Sequence, residues 1–210
     1  MRAEAFVLNL DVSAPRVVDR QYELVELLGL GSMGEVWRAR HLGLGQTCAV
    51  KLIACETHET PHAAHVRFTR EARIAAALSR KTRHIVSVTD FGSDASGAYL
   101  VMELLDGEAL DTRIARGCTP REVASIVLQI AKGLGVAHRE GILHRDVKPA
   151  NVFLARTEDG ELLAKVLDFG IARLMVGSMP LTVNGVVVGS PAYMSPEHAL
   201  GEPLDARADV

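Results

Sequence analysis

The sequence predicts an α+β fold of two lobes: an antiparallel β-sheet carrying one helix, followed by a mostly helical second lobe. Three observations make the prediction. Short apolar or alternating runs, broken by glycine-containing turns, fill much of residues 22–102, which is a strand signature. An apolar stripe at steps of three and four runs through residues 120–140, which is a helix signature. Between them the string Glu103–Gly107 reads as a linker.

Taken in order, residues 1–20 show weak periodicity, with Pro15 and scattered polar side chains, and read as a loosely attached N-terminal extension. From Tyr22 the runs YELVELLG, GEVWRARH and QTCAVKLI form an antiparallel meander. A helix is expected from about Pro61 to Ser79, with Phe68, Glu71, Ala75 and Leu78 on one face. HIVSVTDFG and AYLVMELL are two further strands, split by the turn SDASG. After Gly107 the pattern turns helical. The longest helix spans Pro120 to Glu140, its stripe being Val123, Ile126, Val127, Ile130 and Leu134, with Thr119 as N-cap and Gly141 as the stop. The remainder reads as short strand pieces and a loop-like stretch from about Asp168 to Glu197. These readings give an N-lobe of about 21–103, a hinge of about 103–107 and a C-lobe of 108–210, within one domain of 21–210.

Composition narrows the class. With 210 residues, 48% hydrophobic and 23% charged, the chain has ordinary globular composition and enough length for two small lobes. A net charge of −3 offers no basic field for nucleic acid. Cys48, Cys55 and Cys118 have neither CxxC nor metal-ligand spacing, so they are expected as reduced thiols in a cytoplasmic protein. No apolar run approaches the ~18 to 20 residues that cross a bilayer, and no basic start leads into an apolar secretion signal.

Five strings carry chemistry. GLGSMGEV places Gly29, Gly31 and Gly34 between two strands, where backbone amides can approach a phosphate. Alone it is equally a hairpin turn; a dinucleotide site would need a helix next, and EVWRAR continues as strand. Lys51 lies within the apolar strand CAVKLI, either snorkelling to the surface or meeting an anion. Glu71 sits on the apolar stripe of the next helix, where it pairs either with Arg67 one turn earlier or with Lys51. HRDVKPAN groups a carboxylate (Asp146), an ammonium (Lys148) and an amide (Asn151), suited to accept a hydroxyl proton, steady a transferring phosphoryl group and ligate a divalent cation. LDFG offers the Asp168 carboxylate at a strand end, a sound ligand for a hard cation. The same tripeptide at Asp90 precedes HRDVKPAN and is expected to be a turn. GSPAYMSPE, from Gly189 to Glu197, closes the long loop.

In this order the five strings resemble the eukaryotic-like, Hanks-type protein serine/threonine kinases, nearest the bacterial branch, over about Tyr22 to Val210. The resemblance implies a protein-kinase-like bilobal fold whose helical C-lobe is incomplete. By that likeness Leu28, Gly29, Gly31, Gly34 and Val36 would cover the phosphates and adenine of ATP, and Lys51, held by Glu71, would contact the α- and β-phosphates. Asp146 would be the catalytic base, assisted by Lys148, with Asn151 and Asp168 holding Mg²⁺, for which Mn²⁺ can substitute. Ala49, Glu103, Leu105 and Phe153 match positions lining the adenine pocket, and Met102 matches the gatekeeper. Ser190 matches a hydroxyl residue that contacts the catalytic Asp and Lys. Arg145 implies control by phosphorylation, with Thr182 the expected phosphosite and Ser178 a lesser one. The implied partners are ATP, proteins bearing Ser or Thr, and a second copy for phosphorylation in trans.

Two rivals are weighed against that reading. A non-catalytic pseudokinase typically loses a lysine, base or metal ligand, and every one is present here. A small-molecule kinase of the antibiotic phosphotransferase kind lacks the Lys-Pro pair and GSPAYMSPE. Ser195 departs from the usual alanine of the closing motif. DARADV resembles the start of a long central helix with Asp209 as its anchoring aspartate, so the chain is expected to be a fragment, unstable or weakly active when isolated.

Overall fold

The computed structural model describes residues 16–31, 34–53, 61–94, 97–169, 182–183, 186–187 and 191–210. The N-terminal sheet is built on β2 (Tyr22–Gly31), β3 (Gly34–His41) and β4 (Thr47–Ile53), which form the expected meander. Helix α1 (Pro61–Ser79) follows, then β5 (Val88–Asp94) and β6 (Gly97–Met102). With β1 (Val17–Val18), the order is β1-β2-β3-β4-β6-β5, every neighbour antiparallel.

Strand periodicity divides the side chains of β4 between two cores. Ala49 and Ile53 join Leu100, Met102 and the α1 residues Phe68, Ala72 and Ala75 in the core beneath the helix. Val50 faces the other way, into a cluster with Val18, Tyr22, Leu24, Ala39, Tyr99 and Val101. Lys51, lying between Ala49 and Ile53 on their face, is thereby directed at the α1 side of the sheet.

The sequence reading made residues 17–20 part of a lead-in, whereas Val17 and Val18 pair with Glu23 and Tyr22 and Val18 is buried. A two-residue strand is too short to show a period. It is fixed instead by side chains distant in sequence: the Tyr99 hydroxyl donates to Asp19 at 2.7 Å, and the Asp19 N–H donates to Asp94 at 2.8 Å. Asp90, expected in a turn, lies within β5. Its carboxylate accepts from the Tyr22 hydroxyl at 2.6 Å and the Phe91 N–H at 2.8 Å. Burial, with the Asp90 hydrogen bond second, pushes the Tyr22 phenol well above its ordinary value, so it stays a donor.

The second lobe starts from a sheet of β7 (Gly107–Ala109), β8 (Val152–Arg156) and β9 (Leu162–Val166), with helices α2 (Leu110–Ala115) and α3 (Pro120–Arg139). Short pieces complete the described part: β10 (Thr182–Val183) paired with β11 (Val186–Val187), and α4 (Pro196–Ala199). Ser195 caps α4, its hydroxyl accepting from the His198 N–H. The start of the long helix expected at the chain end is a 3-10 turn, Ala206–Asp209. Of the predicted α3 stripe, Ile126 and Leu134 are buried, while Val123 and Val127 are exposed. Among the described residues no helix is long and apolar enough to cross a membrane.

The lobes meet where the α1–β5 loop lies along β9. The Val86 N–H donates to the Val166 carbonyl at 3.0 Å and the Val166 N–H to the His84 carbonyl at 2.8 Å. Leu78 and Ile85 share a core with Leu134, Ala137, Val166 and Phe169. Gly133 of α3 faces this loop, and a Cβ there would lie 2.9 Å from the His84 carbonyl oxygen, so close approach requires glycine.

Thr119 caps α3 with a reciprocal capping box: its hydroxyl accepts from the Glu122 N–H, and Glu122 accepts from the Thr119 N–H. Thr119→Ala should cost about 1 kcal/mol in urea unfolding. The Thr119 N–H and hydroxyl, then Arg113, hold the Glu122 carboxyl down at about 2 against an ordinary 4.5. Its contribution to stability is therefore present above pH 4.5 and fades as pH falls towards 2. Across that window Glu122→Gln should flatten the acid side of the thermal-stability profile.

Candidate active site

The cleft is assembled from elements that each present one polar group. Gly31 of β2 pairs with Gly34 of β3, and Gly34 holds φ 122°, a conformation open to glycine. Gly29 faces Val36 across the same ladder. Val36 and Leu105 pack against Ala49 and Met102, giving one apolar wall. Phe153 lies on β8, partly buried, across the linker in the second lobe, and Leu28 is 44% exposed, outside the apolar wall cluster.

Lys51 and Glu71 are both buried, at 5% and 6% exposure, on the facing surfaces of β4 and α1. The snorkelling alternative is thus excluded for Lys51. Its ammonium lies 2.7 Å from Asp168 Oδ1, joining residues 117 apart in the chain.

The loop after α3 is held by polar bonds. Asp209, its side chain 0% exposed, accepts from the backbone N–H groups of His144 at 2.8 Å and Arg145 at 2.7 Å, and lies 2.8 Å from His138 Nε2. Aiming two consecutive N–H groups at one carboxylate forces a sharp turn, and Arg145 makes it at φ 68°. That region costs a non-glycine residue about 1–3 kcal/mol and persists only where the surroundings enforce it. The carboxylate supplies the enforcement.

His144 links this loop to the strand end bearing Asp168. Its Nδ1 accepts from the Asp146 N–H at 3.2 Å, so Nε2 carries the proton and donates to the Leu167 carbonyl at 2.7 Å. The His144 ring meets Phe169 edge-on, centroids 4.7 Å apart. The Leu167 N–H also donates to the Asn151 carbonyl at 2.9 Å, which seats Asn151 beside the approach to Asp168. Asp168 itself is at φ 59°, a second non-glycine residue in the left-handed region.

At the centre, Asp146 Oδ2 accepts from Lys148 Nζ at 2.7 Å and from Asn151 Nδ2 at 2.8 Å. The same Asn151 nitrogen donates to the Asp146 carbonyl, also at 2.8 Å. With its amide donors so used, Asn151 keeps Oδ1 for a cation, and Asp146 keeps Oδ1 for a proton. Two oxygen donors, the Asn151 amide and the Asp168 carboxylate, fit a hard divalent cation.

The expected groups Lys51, Asp146, Lys148, Asn151 and Asp168 thus form one connected network. Glu103 stands at the linker with its carboxylate turned to Ser87 and Lys165. Thr182 is placed on β10, while Ser178, Ser190 and Cys55 lie outside the described residues. Sequence reasoning gave no role to His144, His138 or Lys165. A buried lysine in an apolar strand was the signal available for Lys165, the one already used for Lys51.

Fold and site together define a two-lobed domain, a β-sheet lobe and a helical lobe, with polar groups from both converging at their junction. Residues 22–210 match the protein kinase domain family, and the chain belongs to that family. It is 39% identical over 197 residues to the serine/threonine-protein kinase pkn2 of Myxococcus xanthus, covering 92% of this chain and 23% of the relative. It is 40% identical over 202 residues to the serine/threonine-protein kinase PknB of Mycobacterium leprae, covering 93% of this chain and 31% of that protein. The chain therefore spans under a third of the length of these curated relatives. Among solved structures, the PknI kinase domain of Mycobacterium tuberculosis is 32% identical with a TM-score of 0.70, covering 93% of this chain and 70% of that one.

Asp209→Ala would leave the backbone N–H groups of His144 and Arg145 without their acceptor. The expected loss is about 2–4 kcal/mol in urea unfolding, at roughly 1–3 kcal/mol for each buried unpaired group. Phosphate transfer should fall further than the folded fraction does, because Arg145 is then free to relax.

Proposed function

We propose that this domain transfers the γ-phosphoryl group of Mg·ATP to serine and threonine hydroxyls of proteins. The observation that carries the reading is the Asp146 carboxylate, held through one oxygen by Lys148 and Asn151 with its other oxygen open. A substrate hydroxyl there would lose its proton to Asp146 as its oxygen bonds to the γ-phosphorus, the bond to the β–γ bridging oxygen breaks, and ADP leaves. Lys148 is placed to offset charge on the transferring group. Lys51 would hold the α- and β-phosphates, and Val36, Ala49, Met102, Leu105 and Phe153 would enclose the adenine.

Asn151 and Asp168 would hold Mg²⁺ or Mn²⁺, which neutralises phosphate charge when bound. The presence of every polar group in one network speaks against a pseudokinase. The names of the relatives support Ser/Thr specificity. A cytoplasmic setting and a second copy acting in trans fit the same reading, with Arg145, exposed on the catalytic loop, as the cation for a phosphate on Thr182.

Incubation with γ-labelled ATP, Mg²⁺ and myelin basic protein tests the proposal. Label should appear on Ser and Thr of the acceptor and, by mass spectrometry, on Thr182. Asp146→Asn should lower the rate about 10²- to 10⁴-fold. Transfer at the parent rate by Asp146→Asn, or none by the parent, would refute the assignment.

A further inference from the structure

Among the described residues, the proposed transfer gives no task to the buried charge of Lys165. Lys165, on β9 three residues before Asp168, is 8% exposed, and its ammonium lies 2.7 Å from Glu103 Oε1. The same oxygen accepts the Ser87 N–H at 2.6 Å, while the Glu103 N–H donates back to the Ser87 carbonyl at 3.0 Å. One carboxylate thus gathers three bodies: the α1–β5 loop of the first lobe, the first residue of the linker, and the second-lobe strand that runs into Asp168.

Two physical consequences follow. An ammonium this buried has to keep its partner, because removing one member of such a pair strands the other charge. The Glu103 side chain is therefore committed to Ser87 and Lys165 and does not enter the cleft. With the side chain pinned at two points, the peptide units from Glu103 to Leu105 have one orientation relative to both lobes. Those units run between Met102 and Leu105, two residues of the apolar wall. Asp146 is held within its own loop, by Lys148 and Asn151.

We propose that Glu103 and Lys165 form a latch on the linker that positions the nucleotide, acting on affinity for Mg·ATP and not on the transfer step. The inference rests on the kinase reading above. A linker held in one pose presents a formed nucleotide site, whereas a released linker samples several. Apparent affinity then falls by the fraction of time the competent pose is populated.

The test measures binding of a fluorescent ADP analogue with Mg²⁺, beside KM for ATP, kcat and melting temperature, in the parent, Lys165→Met, Lys165→Arg and Glu103→Gln. Lys165→Met should weaken analogue binding and raise KM about fivefold, for a latch closed some four-fifths less often, while kcat at saturating ATP stays within about twofold. Lys165→Arg, which keeps the cation, should restore most of the affinity. Glu103→Gln keeps an acceptor for Ser87 and its own size, loses the charge, and should weaken binding without loss of fold. In the double variant the two losses should not add. A lowered melting temperature with unchanged affinity would make the pair structural only and overturn the latch, as would a fall in kcat at constant KM. A parent that binds no nucleotide would overturn the kinase reading and the latch with it, whereas a parent that binds with variants that match it would overturn the latch alone.

Discussion

The candidate site depends on one almost wholly buried charge. The Lys51 ammonium is buried between β4 and α1, and the Asp168 carboxylate meets it at 2.7 Å from the other lobe. At an effective dielectric near 20 such a contact is worth on the order of 6 kcal/mol. Desolvating each ion costs several kcal/mol, so the two effects nearly cancel and the pair adds little to stability. Its effect is on geometry. It holds a cation and a carboxylate from distant segments at the same point, so that in the proposed reaction a polyphosphate with its metal ion would find both charges in place.

In the second lobe, polar bonds fix Asp168 and Asp146 relative to that lysine. His144 bridges them, accepting from the Asp146 backbone and donating to the Leu167 carbonyl next to Asp168. Asp209 anchors the other end, compelling Arg145 into a left-handed turn that aims the loop. Neither contact is apolar. Hydrophobic clusters place the strands and helices to within a side chain's width, and directional bonds do the final alignment, since packing is non-directional and hydrogen bonds are not. The lobes themselves are joined by a shared apolar core and by the α1–β5 loop along β9.

How much of this the sequence disclosed follows from distance along the chain. The bounds of α1 and β3 and the Thr119 cap are local, set by periodicity and capping chemistry within a few residues, and they were legible. The strings around Asp146 and Asp168 were legible because the chemistry they need is compressed into a few positions. Their convergence on Lys51 came from the family resemblance, since no local pattern joins residues 117 apart. Val17–Val18 was hidden because a two-residue strand has no period, and Asp90 was misplaced because its partner, the Tyr22 hydroxyl, is 68 residues away. Val123 and Val127 fit the helical stripe yet lie exposed, because periodicity identifies an apolar face without saying what covers it. The Glu103–Lys165 pair was missed for the first reason again, its members being 62 residues apart.

The most direct measurement is a crystal structure of the chain with a non-hydrolysable ATP analogue and Mn²⁺, the metal located by its anomalous signal. The account predicts a peak about 2 Å from oxygens of Asp168 and Asn151, with the Lys51 ammonium against the α- and β-phosphates and the adenine between Ala49 and Phe153. A metal bound elsewhere, or a nucleotide whose phosphates never reach Lys51, would contradict it.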